Sequence, residues 1–174
     1  MKTIFNIIIG MFSLLCVTNA SLAETFIYKK PEGKVPLFSI TFPDDWKIKE
    51  EENILYAAPS DELLYFGVRT VKNINTIKTA LKEVDQIISG LVKEVEFLEP
   101  EKMQIDGIHY WFIDGTGTVK DNENEVEIEV NISVIFFAPI EKTICMVLYF
   151  APPYILEEYM EDLDNIIQSI TKLE

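Results

Sequence analysis

The residues best suited to bind a ligand form an alternating acidic run, Glu125, Glu127 and Glu129. In a β-strand, alternate side chains point to one face, so these carboxylates would lie about 7 Å apart on one side of a sheet. Calcium takes carboxylate oxygens, but it needs about six to eight ligands around it. One flat strand cannot surround a cation, and residues 121–125 lack the glycine of an EF-hand loop. We therefore predict a solvated face that discourages edge pairing, with cation binding as the open alternative.

Catalysis by a nucleophile or by zinc would need residues that this sequence barely contains. His109 is the only histidine, and it alternates with apolar residues in a strand-like segment. Cys145 lies among Ile, Met, Val and Leu residues, which is typical of a small buried hydrophobe. No usual zinc site can be assembled from this set, and no P-loop or nucleophile elbow is present. We predict no catalytic, cofactor-binding or metal-binding residues, and hence a protein that is not an enzyme.

Two further motifs have structural explanations. Gly115-Thr116-Gly117 is not followed by a helix pattern, so we expect a bulge or a close backbone approach within a strand. Asn131-Ile132-Ser133 matches a glycosylation acceptor, but it falls inside a predicted strand, and we interpret the match as coincidence.

The N-terminus has the layout of a secretory signal peptide over residues 1–23. A positive start precedes an apolar run at residues 4–17, and small and polar residues follow. The run is shorter than the roughly 20 apolar residues that span a bilayer. We predict cleavage between Ala23 and Glu24, and no integral membrane segment after it. Residues 24–174 have a natural size for one globular domain, which we expect to be periplasmic or secreted.

The charge of the chain excludes one class of partner. The formal net charge is −14, and the isoelectric point is near 4.5. Binding to phosphates needs a basic surface, so we predict no nucleic-acid partner. A basic protein or a cation is compatible with this charge, although excess charge also serves to keep a secreted protein soluble.

Three apolar-rich runs form the centre of the predicted fold, at residues 108–119, 126–137 and 143–150. The breaks between them, at residues 120–125 and 139–142, are short and polar. Short β-rich runs separated by turn-forming residues indicate an antiparallel meander.

The sequence before the meander predicts further strands. Phe38, Ile40 and Phe42 alternate with polar residues, which indicates a half-buried strand that ends at Pro43, with Trp46 folding back onto the sheet edge. The remaining expectations are an extended stretch without regular structure at 24–36, a charged segment at 47–52, strands at 53–58 and 63–72, and a turn at Asp106-Gly107.

Two amphipathic helices are predicted to cover the sheet. Residues 77–95 carry apolar residues at spacings of three and four, and Asn75 or Thr76 can cap the start. A closing helix begins at Pro152-Pro153 and keeps its apolar stripe to Ile170. The predicted fold class is α+β, with a single antiparallel β-sheet of about six strands covered by two helices.

Several segments of the sequence resemble a known superfamily. The segment Phe38-Ser39-Ile40, the Phe42-Pro43 stop followed by Trp46, and residues 165–170 are similar to the PsbP-like superfamily, of the PsbP and DcrB type. The similarity covers roughly residues 37–171. It implies a PsbP-like α/β/α sandwich and a non-catalytic binding or accessory role, often in an envelope or lumen. It transfers no active-site residues.

Three functional hypotheses follow. The leading one is an exported, non-catalytic accessory or protein-binding domain of the cell envelope, whose partner is another envelope or secreted protein. The alternative is a small-molecule or cation carrier with a pocket between helix and sheet, lined by Trp111, Tyr110 or Phe136, although aromatic residues more often belong to cores. The third is a hydrolase that uses paired carboxylates, and no pair stands out among the 29 acidic residues.

Overall fold

A computed structural model describes residues 23–30, 35–74, 76–120 and 126–173. The predicted signal peptide lies outside these ranges except for Ala23, which is exposed and directly precedes the first strand. In the described ranges the elements are β1 Glu24–Lys29, β2 Pro36–Phe42, β3 Lys47–Glu51, β4 Ile54–Ala58, β5 Tyr65–Thr70, α1 Ile77–Lys82, α2 Val84–Ile88, β6 Lys93–Phe97, β7 Glu101–Ile105, β8 Ile108–Lys120, β9 Glu127–Ile140, β10 Thr143–Ala151, α3 Pro153–Gln168 and β11 Thr171–Lys172.

The predicted meander is confirmed and forms the middle of an eight-stranded antiparallel sheet. Its order is β3-β4-β5-β10-β9-β8-β6, and β7 also pairs with β8. The β8–β9 ladder runs without a shift from Tyr110 opposite Phe137 to Lys120 opposite Glu127. The next turn is tighter than predicted, because β9 continues to Ile140 and Lys142 has a positive φ of 61°. The Asp106-Gly107 turn is present, with both φ angles positive, as a two-residue hairpin loop requires.

The prediction of one sheet is wrong, because β1, β2 and β11 form a second, three-stranded sheet. The strand over Phe38 and Phe42 is confirmed, but it belongs to this small sheet and pairs with β1, where no regular element was predicted. The charged segment at 47–52 likewise contains β3, which pairs with β4. Both missed strands are held by backbone pairing with a neighbouring strand. In β3 most side chains are exposed, so its sequence lacks the alternation of apolar and polar residues that would have indicated a strand.

The predicted continuous helix at 77–95 is also wrong. The chain forms two short helices that break at Glu83, where φ is −108° and ψ is 8°, and it then enters β6 at Lys93. Ala80, Val84, Ile88 and Val92 are all buried in one cluster. The apolar residues recur at helical spacing because all of them face the same core, although they belong to two short helices and to the chain after them. The predicted cap is confirmed at Thr76, whose side chain accepts a hydrogen bond from the Thr79 N–H at 3.2 Å, while Asn75 lies outside the described residues.

The closing helix is confirmed as α3, with Pro153 in its first turn. Its stripe, which includes Ile155, Leu163 and Ile167, packs with the small sheet against one face of the large sheet. The helices α1 and α2 cover the opposite face through a separate core. Trp46 is buried between β2 and α3, in contact with the rings of Phe42 and Tyr159. In the part of the chain that the structure describes, no helix has the length and apolar character to cross a membrane.

Candidate functional site

The clearest candidate site is a groove between α3 and the large sheet, which we call the α3 groove. Its volume is about 460 Å³. The floor comes from β8, β9 and β10, one wall from α3, and the other wall from the end of β6 and the residue after it. The lining residues are Glu96, Phe97, Leu98, Asp114, Gly115, Thr116, Asn131, Ile132, Ser133, Tyr149, Leu156 and Met160.

The groove lies where the long β8–β9 hairpin extends past the cover of α3. On the face that packs on α3 and the small sheet, β8 places Tyr110 and Phe112 in the core before it reaches Asp114. On the paired strand, Ile135 is in the same core and is followed on that face by Ser133, opposite Asp114. The change from apolar to polar side chains occurs at the same level on both strands. It marks the end of the core and the start of the groove floor.

A polar cluster of three side chains forms the floor. The Ser133 hydroxyl donates a hydrogen bond to the Asp114 carboxylate, and Tyr149 makes a side-chain hydrogen bond with Ser133. Burial raises the pKa of Tyr149, and the hydrogen bond with Ser133 opposes this rise. Ser133 is only 6% exposed, whereas the Asp114 carboxylate that it contacts is open to solvent. It offers hydroxyl groups and a carboxylate, a set that can accept hydrogen bonds from a cationic group.

Apolar side chains border the polar floor. Leu98 is 68% exposed and Met160 is 44% exposed, so both keep apolar surface in contact with water beside the groove. Leu98 is positioned by its own backbone, because its N–H donates to the Asp114 carbonyl at 2.8 Å. The charged lining residues are Glu96 and Asp114, and none of the lining residues is basic. The groove thus combines an acidic floor with an apolar rim.

Gly115 and Gly117 allow β6 to approach β8, as the sequence predicted. A Cβ atom on Gly115 would lie 2.5 Å from the carbonyl oxygen of Glu96, and one on Gly117 would lie 2.9 Å from that of Lys93. The register between β6 and β8 shifts between these two contacts. Gly115 therefore sets the wall of the α3 groove that it lines, and Gly117 permits the same close approach further along β8.

The acidic run predicted on β9 lies apart from the groove. Glu127 and Glu129 are exposed, opposite Lys120 and Thr118, and Glu125 lies outside the described residues. Among the described residues, no group of three or more His, Cys, Asp or Glu side chains is arranged to hold a metal ion. The Asn131-Ile132-Ser133 motif lies inside β9, as predicted, and its serine belongs to the polar cluster.

The two residues considered for nucleophilic or metal chemistry occupy separate places. His109 is exposed on β8, and its ring lies 6.2 Å from that of Trp111. Cys145 is fully buried in β10, and burial raises the pKa of its thiol well above the ordinary value. The prediction that Cys145 is a buried hydrophobe is confirmed.

The three aromatic residues proposed to line a carrier pocket do not line one pocket. Tyr110 and Phe136 are both fully buried, and they belong to the cores on opposite faces of the large sheet. Trp111 lies opposite Phe136 in the ladder and is covered by the Lys102 ammonium group at 5.0 Å. Strand alternation separates neighbouring residues in this way, so adjacent Tyr110 and Trp111 could not share a pocket.

Sequence reasoning missed Asp114, Ser133 and Tyr149 as a group. The available signal was a polar residue interrupting each of two paired apolar strands, Asp114 after WFI and Ser133 before VIFF. To use this signal, one must know the register between the two strands, and the polar break predicted at residues 120–125 does not determine that register.

No family model and no curated protein matches the sequence. Solved structures do match the fold. Cyanobacterial PsbP (CyanoP) from Synechocystis sp. PCC 6803 aligns with a TM-score of 0.55 at 12% identity, over 89% of this chain and 96% of its own. The fold is PsbP-like. The resemblance predicted from the sequence is thereby confirmed for the architecture.

Two other solved structures match the fold over nearly all of their own length. LpqN of Mycobacterium tuberculosis, involved in cell envelope biogenesis, has a TM-score of 0.53 at 12% identity, with 88% of this chain and 92% of its own covered. The Saccharomyces cerevisiae Ran-binding protein Mog1p has a TM-score of 0.53 at 10% identity, with 86% and 94% covered. The chain spans only 48% of a Bacteroides thetaiotaomicron structure that it matches with a TM-score of 0.58 at 13% identity over 87% of this chain. At these identities the likeness concerns the fold alone.

Proposed function

We propose that this protein is an exported, non-catalytic accessory domain of the cell envelope that binds a basic and partly apolar segment of another protein in the α3 groove. The observation that carries the proposal is the lining of that groove. Asp114 and Glu96 supply negative charge, no basic residue accompanies them, and Leu98 and Met160 keep exposed apolar surface beside them.

Each part of the lining has a complementary feature in such a segment. A Lys or Arg side chain of the partner would donate to Asp114, which is already oriented by Ser133. Apolar side chains of the partner would cover Leu98 and Met160, removing their surface from water. The net charge of −14 attracts a basic partner over longer distances and speeds encounter.

The location and the lack of catalysis are parts of the same proposal. The layout of residues 1–23 supports export. The involvement of LpqN in cell envelope biogenesis and the Ran binding of Mog1p agree with an envelope location and a protein partner for this fold. The groove cluster of Asp114, Ser133 and Tyr149 contains no histidine or lysine that could serve as a general base near neutral pH.

The test is site-specific photo-crosslinking in the host, with the photoreactive residue at Leu98 or Met160. We expect a crosslinked protein whose captured peptide, identified by mass spectrometry, carries Lys or Arg next to apolar residues. The matched control position is Tyr154, which lies on α3 and is 67% exposed but does not line the groove. Equal crosslinking from Tyr154, or capture of an acidic peptide, would contradict the proposal.

The charge requirement is tested with the captured peptide in purified form. Asp114→Asn keeps the shape of the side chain and removes its charge, so the affinity should fall at least about 10-fold. Glu127→Gln removes an equal charge from β9 outside the groove, and the affinity should stay nearly unchanged. A catalytic function would instead be revealed if the purified protein converted a substrate and Asp114→Asn abolished turnover.

A small-molecule carrier is the second candidate, because the groove volume of about 460 Å³ lies within the usual range of ligand pockets. Native mass spectrometry of protein purified gently from its host distinguishes the two. A carrier would show an added mass of a few hundred daltons that is lost on Met160→Trp, which fills the groove. An accessory domain would appear without that mass.

A further inference from the structure

A second site lies on the opposite face of the large sheet, between β4, β5, β10 and the end of α2. We call it the Arg69 slot. It has a volume of about 200 Å³ and is lined mainly by Tyr56, Tyr65, Arg69, Leu91, Met146 and Leu148. The α3 groove is on the other face, so the slot is independent of the function proposed above.

Arg69 is the only arginine of the chain, and it lies half-buried at one end of the slot. Its guanidinium group donates to the carbonyl of Ile87 at 3.1 Å. Within the described ranges, no carboxylate lies within 4 Å of it to form an ion pair. A guanidinium group carries about five N–H donors in a flat fork. Most of them therefore remain for a ligand, although the protein has 29 acidic residues that could have neutralised the charge.

Tyr65 supplies a second donor to the slot. Its ring is fixed by stacking on Phe150, with ring centroids 4.7 Å apart, and by an edge contact with Tyr56 at 5.9 Å. Burial raises the pKa of Tyr65 to about 12, so the hydroxyl keeps its proton at neutral pH. No hydrogen bond joins this hydroxyl to any residue that the structure describes, and the side chain lines the slot.

The spacing along β5 brings the two donors together. Tyr65, Gly67 and Arg69 are alternate residues of one strand and share a face. Gly67 has no side chain between them, and the Tyr65 phenol uses that space, because a Cβ there would lie 2.8 Å from the Tyr65 hydroxyl oxygen. The phenol thus extends over Gly67 in the direction of Arg69. A planar acceptor with two oxygens suits a guanidinium fork beside a hydroxyl donor.

We propose that the Arg69 slot binds a small free carboxylic acid with an apolar tail, its carboxylate held by Arg69 and Tyr65 and its tail packed on Leu91, Met146 and Leu148. The volume limits the tail to a single ring or a short alkyl chain, below the usual size of drug-sized ligands. The net charge of −14 opposes an anion, but salt screens charges beyond about 8 Å, whereas Arg69 would be in direct contact.

The test is NMR titration of the isotope-labelled protein with phenylacetate and with 2-phenylethanol, which has a similar ring and tail but no carboxylate. We expect saturable shifts at Tyr65, Gly67 and Leu91 with phenylacetate, and at least about 10-fold weaker binding of the alcohol. Equal binding of both probes, no saturation, or shifts elsewhere only would overturn the proposal. N-acetylphenylalanine represents a protein C-terminus, and tighter binding of this probe than of phenylacetate would overturn the assignment to a free acid.

Matched variants separate the site from general charge effects. Arg69→Gln should weaken phenylacetate at least about 10-fold and leave 2-phenylethanol nearly unchanged. Lys72→Gln removes an equal charge from a residue that does not line the slot, and it should have little effect. Because Arg69 also bonds to Ile87, Leu91→Trp gives a second variant: this 42% exposed residue can fill the slot while Arg69 stays intact, and binding should be lost. Retained binding in Leu91→Trp, or equal losses in Lys72→Gln and Arg69→Gln, would refute the site.

Discussion

Gly115 lies at a position where the backbone of a neighbouring strand leaves no room for a side chain. The carbonyl oxygen of Glu96 lies only 2.5 Å from the position of a Cβ atom, and that oxygen is part of a paired strand that cannot move freely. We predict that Gly115→Ala lowers the free energy of unfolding by about 1–3 kcal/mol, because β6 must shift. Gly90→Ala is the control, since no atom lies within 4 Å of its Cβ position, and it should stay within about 0.5 kcal/mol. Urea unfolding midpoints measure both.

The buried phenol of Tyr28 and the half-buried phenol of Tyr65 make stability sensitive to alkaline pH. Burial raises the pKa of Tyr28 and of Tyr65 to about 12, against about 10 in an unfolded chain. The folded state therefore holds these protons more tightly, so their contribution is complete below pH 10 and is lost between about pH 10 and 12. The urea midpoint should fall across this window, and Tyr65→Phe should fall less steeply than the parent protein. An equal slope in both would show that Tyr65 is not responsible.

On the scale of single elements, α3 carries some side chains that stabilise the core and others that border the α3 groove. Leu163 is 1% exposed in the core, whereas Met160, one turn away, is 44% exposed on the groove rim. We predict that Leu163→Ala costs about 2–5 kcal/mol of unfolding free energy, because it leaves a cavity. Met160→Ala should cost less than about 0.5 kcal/mol yet weaken binding of the proposed partner. Urea unfolding and peptide titration together check the division, and a large stability loss in Met160→Ala would contradict it.

The elements that the sequence predicted well are those whose side chains and backbone follow one period. The strands β8, β9 and β10 and the helix α3 are long and carry consistent apolar patterns. The segment 77–95 kept a helical apolar spacing while the backbone broke at Glu83 and became a strand at Lys93. In this segment the apolar spacing follows from contact with one shared core, whereas the backbone conformation from Lys93 onward follows from the pairing of β6 with β8.

The candidate sites were beyond prediction for a related reason. Asp114 and Ser133 are 19 residues apart, and they meet only because β8 and β9 pair in one particular register. The sharing of one face by Tyr65, Gly67 and Arg69 was readable from strand alternation alone. What the sequence did not contain was the position of α2, whose Ile87 carbonyl accepts a hydrogen bond from Arg69 at 3.1 Å.

At the scale of the whole molecule, Tyr28 joins the two sheets. Its hydroxyl donates to the Asn53 carbonyl at 2.7 Å and accepts from the Thr70 N–H at 3.1 Å, so a residue of the small sheet bonds to the β3–β4 turn and to β5. Tyr28→Phe would leave both backbone groups without this partner, and we predict a loss of about 1–3 kcal/mol of unfolding free energy. Tyr154→Phe, on a side chain that is 67% exposed, is the control and should have little effect. Equal midpoints in urea for the two variants would contradict the role of Tyr28.

The small sheet also places distant parts of the chain side by side. Ser39 of β2 lies opposite Ile27 on one side and Thr171 of β11 on the other. Ribosomes make residue 171 long after residue 27, so this sheet cannot be completed until nearly all of the described chain has been synthesised. The early strands β1 and β2 cannot complete their sheet before β11 has been synthesised, which delays compaction of this sheet during translation. Completion of the small sheet is thus a late event in the synthesis of the chain, because its closing strand β11 lies at Thr171–Lys172.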